Sequence, residues 1–162
     1  IFGYILPLGL ALTRSIGCTL NGCCYGKPTS SFLSIKYPRG IGPYEDHLKE
    51  GLIVNGSKFS LHVHPTQLYH ALASLIIFLV AYLVIRKRKR FDGEVFAFFA
   101  VTYAIQRFIV EFLRNDPRGS LLYLSTSQII SMGVFALGVW IYVKKPSIKA
   151  YDKHFGVKKD EK

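Results

Sequence analysis

Four polar residues recur along an otherwise apolar segment in the second half of the chain. Tyr103, Arg107, Glu111 and Arg114 are spaced at i, i+4, i+8 and i+11, which places them on one face of a helix. Arg107 falls about six residues, or roughly 9 Å, inside the nearer end of this segment. Ionisable groups at such depth face a wet cavity or a helix-lined interior, and they mark a functional site. The alternative is that Arg107 extends towards water and pairs with Glu111 as a structural bridge.

A second polar stripe begins with the run HPTQLYH at residue 64. Its proline suits the first turn of a helix, and Gln67, His70 and Ser74 follow at i, i+3 and i+7. We interpret this stripe as the lining of a polar site. For His64 and Tyr69 the alternative is anchoring at a membrane interface, where such rings are common.

A third motif, RSIGCTLNGCCYGKPT, covers residues 14–29. Three glycines within ten residues indicate close backbone approach or positive φ, and such a loop presents N–H groups that suit a phosphate. The spacing of Cys18, Cys23 and Cys24 is a poor zinc pattern, and no histidine stands at a ligand offset. We therefore expect no metal site, and small pocket cysteines that tolerate serine at positions 18 and 23. A Cys18–Cys23 disulfide on an oxidising face is the alternative.

Each of the three motifs lies at the end of an apolar block, and all three ends are predicted to lie at the same membrane interface. Cationic and hydrogen-bonding groups beside hydrocarbon suggest a phospholipid headgroup site. Arginines, which suit bidentate contacts, would hold the phosphate, and the acyl chains would stay in the lipid.

Four apolar blocks must position these motifs, at about residues 1–20, 66–85, 94–113 and 125–143. Each is close to the roughly 20 residues that cross about 30 Å of hydrocarbon. Half of the 162 residues are apolar, and a net charge of +11 is concentrated at the ends of the blocks. This distribution disfavours nucleic-acid binding, which needs the charge along one polar face. We predict an all-α, multi-pass membrane protein with about four transmembrane helices in a bundle.

Basic clusters predict the orientation of the chain. Residues 86–90 are all Arg or Lys, and Lys144 and Lys145 precede a lysine-rich tail, so the positive-inside rule places both clusters in the cytoplasm. Residues 18–64 and 115–122 are then outside. Turn residues and short alternating runs predict a small extracytoplasmic lobe at about 26–63 with one or two short strands. The predicted domains are a membrane domain, 1–145, and a mobile basic cytoplasmic tail, 146–162.

The motifs resemble those of the prolipoprotein diacylglyceryl transferase family of the bacterial inner membrane. HPTQLY resembles the family's H-P-[ST]-Q-L-Y-E, and YAIQRFIVEFLRND resembles Y-G-x-x-R-F-x-x-E-F-x-R-x-P/D. RSIGCTLNGCCYGKPT is similar to R-I-G-N-F-x-N-G-E-x-x-G-x-P-T, and LSTSQII to L-S-x-G-Q. The motifs occur in the family's order over about residues 8–143.

This resemblance implies a reaction and its site. A diacylglyceryl group passes from phosphatidylglycerol to the lipobox cysteine thiol of a prolipoprotein signal peptide, in the cytoplasmic membrane, with the active site towards the outer leaflet. The partners are these substrates and membrane lipids, and no metal, organic cofactor or nucleic acid is implied. The residues expected to be catalytic are Tyr103, Arg107 and Glu111. Those expected to bind substrate are Arg14, Asn21, Gly26, His64, Gln67, Tyr69, His70 and Arg114.

The sequence also departs from the family pattern. Cys18 and Cys23 stand at an Asn and a Glu of the first motif, the motif's Arg aligns with Ser15 while Arg14 comes one residue early, and His70 replaces a Glu. The family has about seven spans, so we expect this chain to correspond to its C-terminal part and to lack the N-terminal helices. Two alternatives stay open. One is a phospholipid-binding module with altered or no chemistry. The other is a structural membrane protein, whose polar stripes would point in different directions.

Overall fold

The computed structural model describes residues 2–88, 90–115, 120–121 and 124–145, and these are mostly helical. Helix α1 (Phe2–Leu12) continues through a π-helical turn (Thr13–Cys18) into α2 (Thr19–Asn21). The elements that follow in chain order are α3 (Gly42–Lys49), α4 (Thr66–Val80), a second π-helical turn (Ala81–Ile85), α5 (Arg86–Arg88), α6 (Glu94–Glu111), β1 (Ser120–Leu121), β2 (Leu124–Ser125) and α7 (Thr126–Lys144). The strands β1 and β2 pair antiparallel just before α7.

Helix α1 packs antiparallel to α4, and α6 packs antiparallel to α7. Helix α1 also contacts α6, and these two helices run parallel, since Gly3 lies against Val95 and Phe96. Tyr4 near the start of α1 meets Tyr82 beyond the end of α4, with ring centroids 6.0 Å apart. Phe91 before α6 meets Tyr142 near the end of α7 at 5.7 Å. The guanidinium of Arg86 lies 4.9 Å from the Tyr82 ring centroid, so the basic cluster shares an end of the protein with the start of α1.

Two helical segments in the described part of the chain, Thr66–Arg88 and Thr126–Lys144, are long and apolar enough to cross a membrane. Within their most apolar windows only 22% and 17% of the residues are buried. A core helix of a soluble protein would bury its apolar face, whereas these helices turn most of theirs outward. The described fold is therefore helical with two candidate membrane spans, an arrangement consistent with a helical membrane protein.

The predicted apolar blocks coincide with the helical segments to within three residues at each end. Of the predicted outer segment 115–122, residues 116–119 and 122 lie outside the described residues, and so does the predicted tail, 146–162.

The lobe between α2 and α4 has its own small core. Tyr25, Tyr37 and Val63 are buried together, and Ile35 and Ile41 pack against them. The expected strands are replaced by isolated backbone bridges, which join Pro28 to Val63, Ile35 to Val63, and Pro38 to Phe59. Proline has no N–H to continue a ladder, which explains why the pairings at Pro28 and Pro38 stay short.

Helix α3 was not predicted from the sequence, although its signals are present. A proline lies in its first turn, Glu45 follows, and Lys49 ends it, in agreement with the preferences of helix ends. His47 of α3 is fully buried. Its Nδ1 accepts a hydrogen bond from the Leu61 backbone N–H at 3.2 Å. Helix α3 is thereby tied to the segment that leads into α4.

We predict that the lobe loses stability as the pH falls through about 6.5. Burial, the largest influence, lowers the pKa of His47, although Glu50 and Asp46 act in the opposite direction. Below the ordinary histidine pKa the unfolded lobe therefore binds more protons than the folded lobe, and stability present at neutral pH is lost. Hydrogen exchange at the Leu61 amide, corrected for intrinsic rates, should show weaker protection at about pH 5 than at about pH 7.5.

The control is His47→Asn, which keeps a hydrogen-bond acceptor but does not titrate. It should show the same corrected protection at both pH values. Equal protection of Leu61 at both values in the unaltered protein would contradict the prediction.

Candidate functional site

The site is built around the carboxyl end of α6. Arg107 Nη2 lies 3.2 Å from Glu111 Oε2, one helical turn away. Arg114 Nε lies 3.9 Å from the same oxygen. Arg107 is 7% exposed and Arg114 is 6% exposed, so two buried guanidinium groups share one carboxylate.

Helix α4 faces this cluster with its predicted polar stripe, since Gln67, His70 and Ser74 are all buried. His70 Nε2 lies 3.4 Å from Arg107 Nη1. On its other side, His70 Nδ1 lies 2.9 Å from Gln106 Nε2, which also donates to the His70 carbonyl. The two stripes predicted from spacing face each other, in contrast to the diverging stripes expected of a purely structural protein.

Helix α7 supplies a third contact. Arg107 Nη2 donates to Ser127 Oγ at 2.7 Å. Ser125 and Gln128 form a capping box that fixes the first turn of α7. Residue spacing did not single out Ser127 or Gln106. Useful signals were present: Ser127 lies in the run LSTSQII, and Gln106 is a polar residue beside Arg107 in an apolar helix.

The loop after α2 closes over the end of α6. The Gly26 N–H donates to the His64 carbonyl at 2.9 Å, and the Lys27 N–H donates to the Leu113 carbonyl at 2.8 Å. Gly26 and Arg114 form a backbone bridge. A Cβ on Gly26 would lie 2.6 Å from His64 Cβ and 2.7 Å from the Leu113 oxygen, so only glycine allows this approach.

Side chains at the start of α4 form hydrogen bonds to the same loop. Gln67 Nε2 donates to the Cys23 carbonyl at 2.8 Å and to the Tyr37 hydroxyl at 3.0 Å. The Thr66 hydroxyl donates to the Cys24 carbonyl. Cys24 adopts φ of 63°, a left-handed conformation that is uncommon for residues other than glycine. Two polar side chains of α4 thus stabilise a strained turn.

Arg14 reaches the cysteines of this turn. Its Nη1 lies 3.2 Å from Cys24 Sγ and 3.5 Å from Cys18 Sγ. Burial opposes ionisation of Cys24, but the guanidinium groups of Arg114 and Arg14 outweigh it and lower the pKa of that thiol. Burial and the neighbouring cysteines raise the pKa of Cys23 to about 12.

Arg14, Arg107 and Arg114 all act electrostatically on His70. They come from three parts of the chain that are distant in sequence, and Glu111 is the carboxylate that ion-pairs with two of them. Within the described residues these guanidinium groups outnumber the carboxylate beside them, and their bidentate geometry fits a phosphate or another anion that offers two oxygens.

Other predicted site residues lie at the edge of the cluster or away from it. His64 Nδ1 and the Tyr69 hydroxyl pair with each other at 3.3 Å. Tyr103 stacks on Phe99, with ring centroids 5.5 Å apart. Asn21 is exposed, and its amide donates to the Gly17 carbonyl at 2.8 Å. The structure brings the arginines, Glu111 and His70 together. It places Gln67 against the Cys23 turn and Tyr37, and it leaves Asn21 exposed.

Two apolar grooves flank the cluster. One, of about 480 Å³, lies between α1 and α4 and includes Leu33, Leu72 and Tyr69 in its lining. The other, of about 160 Å³, lies between α6 and α7 and includes Phe108 and Met132.

These features define a class of protein: a helical membrane protein that collects guanidinium groups at one end of its helices, beside apolar grooves. The chain matches the family model of prolipoprotein diacylglyceryl transferase over residues 1–144. The chain belongs to this family, and the resemblance inferred from its motifs is confirmed.

Three relatives illustrate the similarity. The phosphatidylglycerol–prolipoprotein diacylglyceryl transferase of Clostridium tetani is 39% identical over 133 residues, which are 78% of this chain and 45% of the relative. Transferase 2 of Clostridium perfringens is 38% identical over 139 residues, 83% of this chain and 48% of the relative. The Finegoldia magna transferase is 33% identical and covers 100% of this chain and 53% of its own length. The chain therefore spans about half the length of the curated relatives that it matches.

We predict that Gly26→Ala destabilises the docking of the loop on α6, by about 1–3 kcal/mol, because the added methyl group overpacks the His64 and Leu113 backbone contacts. The measurements are thermal unfolding of the purified protein in lipid nanodiscs and hydrogen exchange at the Lys27 amide, which donates to the Leu113 carbonyl. Gly17→Ala is the matched control, since nothing lies within 4 Å of a Cβ there. Unfolding and exchange of Gly26→Ala that match those of Gly17→Ala would disprove this interpretation of the loop.

Proposed function

We propose that the protein transfers an sn-1,2-diacylglyceryl group from phosphatidylglycerol to the lipobox cysteine thiol of a prolipoprotein signal peptide. The relatives are named for diacylglyceryl transfer between phosphatidylglycerol and prolipoprotein. The observation that carries the proposal is the position of Arg107, buried among His70, Ser127 and Glu111. A guanidinium held in place by these neighbours presents donors that suit phosphate oxygens, and the lipid carries a phosphate.

The proposed transfer reaction requires that its leaving group be stabilised. The substrate thiolate attacks the glycerol carbon that bears the phosphate, a C–S bond forms, and the C–O bond to the phosphate breaks. Negative charge grows on the departing glycerol phosphate. Donors already fixed around that charge lower the barrier because they need no reorganisation during the step. Glu111 and Ser127 hold the Arg107 guanidinium in one orientation, so we assign phosphate binding to Arg107 with support from Arg114 and Arg14.

The apolar grooves suit the rest of the lipid. With the phosphate at the guanidinium cluster, one acyl chain would occupy the groove between α1 and α4, and the other the groove between α6 and α7. Tyr69 at the first groove and Tyr103 on α6 would contact the substrate near its glycerol. These placements let the lipid enter from the membrane with its chains still in an apolar environment.

The proposed membrane arrangement follows from the two ends of the protein. The four long helical segments would cross the bacterial cytoplasmic membrane as a bundle, with the basic cluster and residues 146–162 in the cytoplasm. Arg86 packs beside Tyr82 at one end, while Arg114 and the lobe lie beyond the opposite ends of the helices. The lobe and the site would then face the outer leaflet, where the cysteine of a secreted precursor is accessible.

A phospholipid-binding module without transfer activity is the second candidate function. It is favoured by the exposed position of Asn21, which bonds its own helix instead of facing the cluster. Cys18 and Cys23, at positions where the family motif has Asn and Glu, also favour it. Binding of phosphatidylglycerol without transfer to a lipobox peptide would identify this case.

Arg107→Lys should lower transfer almost as much as Arg107→Ala, by roughly a hundredfold or more. Lysine keeps the charge but loses the planar, bidentate donor. A purely structural pair with Glu111 would tolerate lysine, because such helix pairs contribute only about 0.2–0.5 kcal/mol. The assay measures transfer from phosphatidylglycerol to a lipobox peptide by the full-length protein.

Arg39→Lys, at an exposed position in the lobe, is the control and should keep normal activity. The folded fraction of each variant is measured by size-exclusion chromatography. A well-folded Arg107→Lys protein with near-normal transfer would show that Arg107 is a structural ion pair.

The topology predicts that residue 57 is outside and residue 88 is inside. Single cysteines are placed by Ser57→Cys and Arg88→Cys in a protein whose three native cysteines are serine, and intact cells are treated with a membrane-impermeant maleimide. We expect labelling at position 57 and, at position 88, only after the cells are permeabilised. Labelling at position 88 but not at 57 in intact cells would reverse the proposed orientation.

A further inference from the structure

The turn at residues 18–24 brings three thiols into one cluster. The Sγ atoms of Cys18, Cys23 and Cys24 all lie within 4.8 Å of one another. Gly22 ends α2 at φ of 64°, and Cys24 is also left-handed. These two residues fold the chain back over the end of the π-helical turn, so that Cys23 Sγ lies 3.8 Å from the Cys18 carbonyl.

We propose that Cys18, Cys23 and Cys24 bind a zinc-class divalent cation through three thiolates and leave its fourth position open. A Zn–S bond of about 2.3 Å places tetrahedral sulfurs roughly 3.8 Å apart. The thiols therefore reach this geometry by shifts of less than about 1 Å. The spacing Cys-x4-Cys-Cys predicted no such site, because spacing alone does not include the two left-handed residues that turn the chain.

The positive charge beside the cysteine cluster complements the charge of a metal-bound site. Three thiolates and one divalent cation carry a net charge of −1. The guanidinium of Arg14 contacts two of the sulfurs, at 3.2 and 3.5 Å. It would neutralise the complex and donate hydrogen bonds to its sulfurs, as groups around metal ligands commonly do.

The open position faces outward, because Cys23 is exposed whereas Cys18 and Cys24 are half-buried. Zinc sites with three protein ligands keep a fourth position for water or substrate. We assign this fourth coordination position to the thiol of the lipobox cysteine, an assignment that rests on the proposed function. The bound thiol releases its proton to solvent, and its sulfur then forms the C–S bond as the C–O bond to phosphate breaks.

Coordination would supply the nucleophile that the reaction needs. A free cysteine with a pKa of about 8.5 is only about 3% ionised at pH 7, whereas a coordinated thiol is deprotonated outright. The ionised fraction would rise about thirtyfold, which is the upper limit of the expected gain in transfer rate, since coordination also makes the sulfur less nucleophilic. Arg14 links the cation site to the guanidinium cluster, so thiol and phosphate would be held side by side.

The first experiment measures metal binding alone. The purified full-length protein is reduced, stripped with a chelator, and loaded with Zn²⁺ or with Co²⁺ as a spectroscopic probe. We expect about one metal ion per chain and an intense thiolate-to-cobalt absorption band. Both should be lost in Cys18→Ser and Cys23→Ser, and both should be kept in Ser15→Ala, a neighbouring change that removes no sulfur. Absence of stoichiometric metal, or unchanged metal in Cys23→Ser, would overturn the proposal.

The second experiment tests the open position and separates it from the proposed function. A lipobox peptide added to the Co²⁺ protein should raise the thiolate band by about a third, as three sulfur ligands become four, while a peptide with serine at the lipobox position should not. An unchanged band would overturn the assignment of the fourth ligand. Full transfer by metal-free protein would overturn the metal role but leave the transferase. If the protein shows no transfer either with or without metal, the proposed transferase function is wrong. The metal site is then still tested by the first experiment, which does not depend on transfer.

Discussion

Burial of positive charge at the end of α6 is the constraint on which the rest of the site depends. Arg107 and Arg114 are almost fully buried, and removing such ions from water costs several kcal/mol each unless partners offset it. Glu111 offsets part of this cost, and Ser127 and His70 also lie within hydrogen-bond distance of Arg107. Both buried guanidinium groups are anchored to this one carboxylate. The helix ends are therefore arranged so that these partners surround a buried charge.

This constraint gives the lobe a structural role. The loop that contains Gly26 pairs with the backbone at Leu113 and Arg114, so it covers the guanidinium cluster from outside the helices. The lobe core of Tyr25, Tyr37 and Val63 fixes both ends of this loop, and Gln67 joins that core to α4. Without the lobe the charged groups would face water, where their interactions with a phosphate are much weaker. The lobe thus acts as a cover that keeps the local dielectric low.

Features of the fold and site that depend on neighbouring residues in the chain could be predicted from the sequence. Features that depend on packing between distant segments could not. The helices and the stripe from Arg107 to Arg114 were predictable, because a period of 3.6 residues is a local property of the chain. The partnership of Arg107 with Ser127 was not, since it depends on how α7 packs against α6. Helix α3 has only weak local signals and is held by the burial of Tyr44 and His47. The cysteine cluster was missed for a similar reason: two left-handed residues at positions 22 and 24 decide it, and one of them is not glycine.

Arg14, which comes one residue before the family's arginine, lies in the π-helical turn from Thr13 to Cys18 and contacts the thiols from there. A π-helical turn accommodates one more residue than an α-helical turn, and such turns often lie at functional sites. Within it, the Ser15 hydroxyl donates to the Leu12 carbonyl of its own helix, and Arg14 is the residue that faces Cys18 and Cys24. The turn thus places one guanidinium against the thiols and near enough to His70 to act on it electrostatically, the position from which a single charge would act on both substrates of the proposed transfer.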